Sequence, residues 1–255
     1  MKRWAPRGLE SATQRRSSWV RGASGVLALM VAVLVILSAQ ATATSIHSEA
    51  TLRSPFKGTT WAFGEVLLTL CGSWVIPVFP NFNLTSGVFT GAVNASMESC
   101  SSTDEAMQLD FSDVFESSKE FSVASDGLYP LTVSAKMSYE LNLTSIVGGA
   151  GQRAVENASL ETLAYVYNLT SGAQYSIGES SVAFTESSSF VSHSHSFAFT
   201  LTNDTQLGTG AEYEVYVEWG FAIQLTVSPG SSTAIVQLNM GLDGRKATLT
   251  SITIP

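Results

Sequence analysis

Between Leu131 and Thr144 every odd position is apolar and every even position is polar, from Leu131, Val133, Ala135 and Met137 on to Leu143. Successive side chains of a β-strand point to opposite faces, so this period predicts one strand with a dry side and a wet side. A helix would scatter the same residues around its circumference. The alternation returns at Leu160–Leu169, at Phe190–Leu201 and at Tyr213–Val227, the last expected to be the longest strand. Looser strand signals cover Thr59–Leu70, Trp74–Phe79, Leu84–Met97, Ala234–Leu242 and Arg245–Ile254. Pro77 marks Trp74–Phe79 as an edge or an irregular connection, because proline cannot donate to a ladder. Ala106–Phe115 fits either a strand or an opening helical turn.

Turn chemistry separates these runs. Asp126-Gly127 and Asp243-Gly244 are the dipeptides of type I′ hairpin turns, so each predicts that its flanking segments pair. Ser171-Gly172 is a further turn, and Gly148-Gly149-Ala150-Gly151 reads as a loop because it lacks phosphate-binding spacing. A loss of phase at Ser251 predicts a bulge in the last strand. Ten to twelve short strands with no convincing helix predict an all-β fold, with two antiparallel sheets packed as a β-sandwich, jelly-roll or immunoglobulin-like.

The first 43 residues follow a different pattern. Six of the 13 Lys/Arg precede an uncharged run from Gly22 to His47, whose apolar centre, Val26–Leu37, is shorter than the roughly 20 residues a spanning helix needs. Small-x-small sites follow at Ala39–Ala41 and Ala41–Ala43, so residues 1–43 read as a secretory signal peptide with a hydrophobic helix. The alternative is an uncleaved membrane anchor. Arg15-Arg16 invites a twin-arginine reading, which Ser18 weakens. The expected organisation is signal 1–43, a flexible lead-in 44–57 and one sandwich domain 58–255. The lead-in invites a second idea, that it adds as a strand to a neighbouring copy. The favoured reading is a flexible tail.

Without its signal the chain carries 7 Lys/Arg against 20 Asp/Glu, a net charge of −13. That charge excludes nucleic acid, which needs a basic surface, and offers no polybasic patch for lipid. The same part has eight Asn, six of which begin Asn-x-Ser/Thr: Asn83, Asn94, Asn142, Asn157, Asn168 and Asn203. Serine and threonine at about one position in four would supply about two by chance, so covalent N-glycans are expected. Cys71 and Cys100, both beyond the signal, predict one disulfide in an exported chain.

Candidate chemistry is thin. His193 and His195 share a strand face and are weak metal candidates, on a face that also holds Val191, Phe197 and Phe199. Glu212, Glu214 and Glu218 lie around Tyr216 on the polar face of Tyr213–Val227. Paired carboxylates on a sheet can hydrolyse glycosides, but a solvated acidic face is the expectation. Asp104, Asp110 and Asp113 could hold calcium at a sheet rim, although no calcium-loop spacing is present. No Gly-x-Ser-x-Gly elbow accompanies the serines. The sequence therefore predicts no cofactor, no catalytic residue and no resident metal. It predicts a secreted or cell-surface glycoprotein with a structural or interaction role, open to self-association or a surface-protein partner. The alternative is a carbohydrate-binding module, which requires an aromatic platform on one sheet. A glycoside-acting enzyme ranks third.

Overall fold

The computed structural model describes residues 50–68, 71–100, 102–186 and 190–255. The expected signal segment and the first part of the lead-in lie outside these residues. Twelve strands form: β1 (Ala50–Arg53), β2 (Gly58–Leu68), β3 (Gly72–Asn83), β4 (Val88–Glu98), β5 (Glu105–Ser117) and β6 (Gly127–Val147). They continue with β7 (Ala154–Asn168), β8 (Gln174–Glu186), β9 (Phe190–Leu207), β10 (Tyr213–Val227), β11 (Ser232–Met240) and β12 (Ala247–Ile254). The described residues contain no helix, so the ambiguous segment at Ala106–Phe115 is strand.

All recorded ladders are antiparallel and form two sheets. One has seven strands in the order β1-β12-β4-β11-β6-β9, with β3 on β4; the other has five, β2-β5-β10-β7-β8. Within them, β4-β11-β6-β9 lies in one sheet and β5-β10-β7-β8 in the other, and the chain changes sheet at every step from β4 to β11 except β7/β8. That double wrapping is the order of an eight-strand jelly roll. It differs from the immunoglobulin order, in which one sheet holds strands A, B, E and D.

The two sheets bury their facing sides against each other. On β6, Leu131, Val133, Leu141 and Leu143 are fully buried, while Thr132, Lys136 and Asn142 on the other side are not. On β10 the inward row runs from Val215 and Val217 through Trp219 to Leu225. Phe89 and Phe199 meet the Trp219 ring from β4 and β9, at 5.7 and 6.5 Å between centroids. The longest strand is β6 at 21 residues, not β10 at 15, because β6 pairs with two different strands along its length.

Both expected Asp-Gly hairpins are absent, for different reasons. At Asp243-Gly244 both residues are left-handed (φ 54° and 77°) and Arg245 N–H bonds to Leu242 O, so the local turn forms. The strands it joins do not pair with each other. They lie end to end along β6, β11 against Glu140–Val147 and β12 against Thr132–Met137. The turn is the tip of a loop thrown out of one line, held by an Arg245–Glu140 ion pair at 2.9 Å. At Asp126-Gly127 neither residue is left-handed. Gly127 begins β6 opposite Leu207, and the Asp126 carboxylate instead accepts from the Thr209 N–H at 2.7 Å. The expected bulge in the last strand does form, between Leu249 and Ser251.

The expected flexible lead-in is partly ordered. Ala50–Arg53 pairs with Ser251–Ile254 of its own chain, and the Phe56 ring is buried against Phe115 at 5.4 Å. Those residues therefore belong to the sandwich, and their backbone is committed to β12. Cys71 and Cys100 form a disulfide that closes the open end of the β3–β4 hairpin.

Candidate functional site

The outer face of the five-stranded sheet is assembled by register. Across one row stand Thr59, Glu116, Tyr216 and Tyr165, from β2, β5, β10 and β7. The next row holds Trp61, Val114, Glu218 and Leu163, and the one after it Phe63, Ser112, Gly220 and Glu161. A fourth row is Glu65, Asp110, Ala222 and Ser159. Four strands thus bring aromatic rings, a patch of small residues and a set of carboxylates onto one surface.

The rings form a cluster separate from the core. Tyr165 and Tyr216, direct cross-strand neighbours, stack at 5.2 Å with their planes 4° apart. Trp61 and Tyr167 meet Tyr216 edge-on, each at 6.0 Å. Offset and edge-to-face pairs are the favourable aromatic geometries. Tyr216 is 1 % exposed although it points away from the core, while Trp61 and Tyr167 remain half-buried at the surface. Beside the rings the sheet dips at Ser112, Gly220, Ala222 and Ser159. A Cβ at Gly220 would lie 2.9 Å from Ser112 Cβ and 3.0 Å from Phe111 O, so the floor requires glycine there.

The carboxylates around this floor are not the solvated face expected from the sequence. Glu214 is 6 % exposed, and burial, with the charge of Glu116 beside it, holds its carboxyl well above the usual range. Glu214 shares a hydrogen bond with Glu116, and Tyr216 donates its hydroxyl to Glu214 Oε2 at 3.2 Å. Thr59 donates to Glu116 Oε2 at 2.9 Å. Burial also raises Glu218, against the Ser112 hydroxyl that donates to it at 3.0 Å. Asp110 and Glu161 are raised for the same first reason, and neighbouring acids add to it. Carboxyls so placed are strong hydrogen-bond partners for a ligand that brings hydroxyl groups. Glu116 and Glu214 touch, whereas retaining glycosidases hold their carboxyls about 5–5.5 Å apart and inverting ones about 6.5–9.5 Å.

The other sequence candidates disperse. Glu212 is exposed and precedes β10. Asp104 pairs with Arg153, Asp110 is on the outer face, and Asp113 is buried in the core, where it accepts from Phe82 N–H at 2.6 Å. These three acids do not converge. His193 and His195 face inward at the seam between the edge strands β8 and β9. There they line an open groove of about 660 Å³ with Tyr139, Phe184 and Phe197. His193 packs on Phe184 at 4.4 Å and His195 on Phe197 at 5.3 Å, so their neighbours are rings rather than carboxylates. Among the described residues, the one group of three ligand-type side chains close enough for a metal is Cys71, Cys100 and Glu105. Its sulfurs are joined as the disulfide.

Sequence reasoning missed Trp61, Glu116, Glu161, Tyr165 and Tyr167 as partners in a site. Their signal was present only in part: Trp61, Phe63 and Glu65 alternate along β2, but the same face of β5 and β7 also carries Gln108, Ser112, Val114, Ser159 and Leu163. Only register shows that these faces adjoin.

No family profile matches the chain, and no curated protein matches it. Among solved structures, it is similar to a family 11 carbohydrate-binding module from Clostridium thermocellum, solved in complex with a β-1,3-1,4-mixed-linked tetrasaccharide. That match has 11% identity over 73% of this chain and 99% of that one, with a TM-score of 0.17. A second similarity is to the structure of infectious bursal disease virus, Gx strain, at 10% identity over 81% of this chain and 39% of that one, with a TM-score of 0.11. Matches at these scores carry no argument for fold or function.

Proposed function

We propose that this chain is an exported, N-glycosylated recognition module, and that the outer face of its five-stranded sheet binds a neutral carbohydrate. The observation that carries the reading is the Trp61–Tyr216–Tyr165–Tyr167 cluster beside a small-residue floor bordered by carboxyls. A pyranose offers an apolar C–H face and a rim of hydroxyls. The half-buried Trp61 and Tyr167 rings suit the first, and Glu116, Glu161 and Glu218 accept hydrogen bonds from the second. Acids at this density repel uronic, sulfated or sialylated sugars, which selects neutral glycans. The touching Glu116–Glu214 pair favours binding over hydrolysis. A disulfide, and the absence among the described residues of any helix long and apolar enough to cross a membrane, are compatible with an extracellular location.

Isothermal titration of the exported protein against neutral polysaccharides and against a polyuronate tests this reading. Binding of a neutral glycan, weakened about tenfold or more by Trp61→Ala, is expected, since removing one stacking ring costs about 1.4 kcal/mol. Equal affinity of the Trp61→Ala variant, or a preference for the polyuronate, overturns the proposal.

A further inference from the structure

The six sequons do not meet equivalent surroundings. Asn94 is exposed on β4 between the buried Val93 and Ala95, so it projects from the outer face of the seven-stranded sheet. Asn142 projects from the same face of β6, between the buried Leu141 and Leu143. Gln237 of β11 pairs with both of them, so Asn94 and Asn142 stand in one row, two strands or about 10 Å apart. Asn83, at the end of β3 in that sheet, is exposed. It accepts from the N–H groups of Thr85 and Ser86 through its carbonyl oxygen, not through the nitrogen to which a glycan attaches.

Asn168 makes the same turn, accepting from Thr170 and Ser171 at 2.9 Å each, but it is only 6 % exposed and lies opposite the buried Tyr213. A sugar there has no room without opening that end of the sandwich. Asn203 uses the attachment nitrogen itself, donating Nδ2–H to Ser176 O at 2.7 Å across the seam from β9 to β8. Asn157, on the five-stranded sheet, donates to Gln224 at 3.3 Å and accepts from Thr185 at 2.8 Å.

We infer that the N-glycans are carried by Asn83, Asn94 and Asn142, all on the seven-stranded sheet, and that Asn157, Asn168 and Asn203 stay bare. The molecule is then two-sided, with a sugar-coated sheet on one side and an uncoated aromatic and acidic sheet on the other. Glycans on that second face would compete with its ligand for the same surface. This inference rests on the reading that the chain passes through an N-glycan pathway.

The test is site-by-site occupancy. The full chain is secreted from a host with N-glycosylation, enzymatically deglycosylated in heavy-oxygen water and mapped by peptide mass spectrometry. Label at Asn83, Asn94 and Asn142, with none at Asn157, Asn168 and Asn203, is the expected result. Asn94→Gln and Asn142→Gln should each lower the intact mass by one glycan, whereas Asn168→Gln should leave the glycan mass unchanged. Label at Asn157, Asn168 or Asn203 matching that at Asn94, or bare Asn94 and Asn142 beside occupied sites elsewhere, overturns the partition. A chain bare at every sequon overturns both the partition and the N-glycan reading beneath it.

Discussion

Glu156 shows how one residue ties packing to pH. It points inward from β7 and is fully buried, and its carboxyl is raised to about 7. Burial is the main cause, and the charge of Glu186 adds to it; neither carboxylate oxygen has a hydrogen-bond partner among the described residues to favour the charged form. A folded-state value above the unfolded one means the folded chain holds its proton more tightly. No penalty exists below the unfolded value near 4.5, and the full penalty is reached above about 7, so stability falls as pH rises between them. Glu156→Gln should therefore unfold at higher denaturant concentration than the parent at pH 8, by up to about 3 kcal/mol, and match it at pH 4. Urea unfolding at the two pH values measures both, and a difference of equal size at each would rule out ionisation as the cause. Gly220 acts by geometry alone: Gly220→Val should lose both stability and the floor of the proposed site, because its Cβ meets backbone and Ser112.

At the scale of elements, the β3–β4 hairpin carries the clearest constraints. It lies at an edge, with Phe79 and Val75 well exposed, and Pro77 withholds an N–H from any strand that might add there. Pro77→Thr should increase concentration-dependent association, read by light scattering, without lowering the unfolding midpoint. The disulfide closes the other end of this hairpin over a sequence separation of 29. Replacing both Cys71 and Cys100 by Ser should cost roughly 3 kcal/mol in the chain-entropy account. Thermal melting of the double variant beside the oxidised parent checks the size.

For the whole molecule the dominant feature is net negative charge, −13 over residues 44–255, concentrated in part on the five-stranded sheet. Like charges at that density oppose the compact state, and salt screens them with a Debye length of about 10 Å at 0.1 M. Raising salt from about 0.01 M to about 0.5 M at pH 7 should increase the melting temperature by several degrees, most of it below about 0.2 M. A melting temperature independent of salt would show that the acids are neutralised by one another rather than repelling.

Much of this architecture is local and therefore legible in the chain. The period-two pattern identified β6, β9 and β10 because burial on one face is enforced residue by residue; it also marked β7 as a strand, but Leu163, Tyr165 and Tyr167, its larger apolar side, lie on the outer face. The disulfide followed from two cysteines in a chain whose sequence predicts export. The turn at Asp243-Gly244 followed from the backbone angles those residues tolerate. What lay beyond the sequence was every feature that depends on which strand lies beside which. The two Asp-Gly signals were read as hairpins because a turn dictates reversal over four residues, not pairing over twenty. The alternation of Glu214 and Glu218 along β10 predicts a solvated acidic face, yet Glu116, Trp61 and Tyr165 arrive from three other strands to cover Glu214 and Tyr216. Alternation is a property of one strand, and a site on a sheet is a property of four. The sequence alone determined strands and charge; only the tertiary structure decided which polar face became a concerted acidic and aromatic surface, because register exists only between strands.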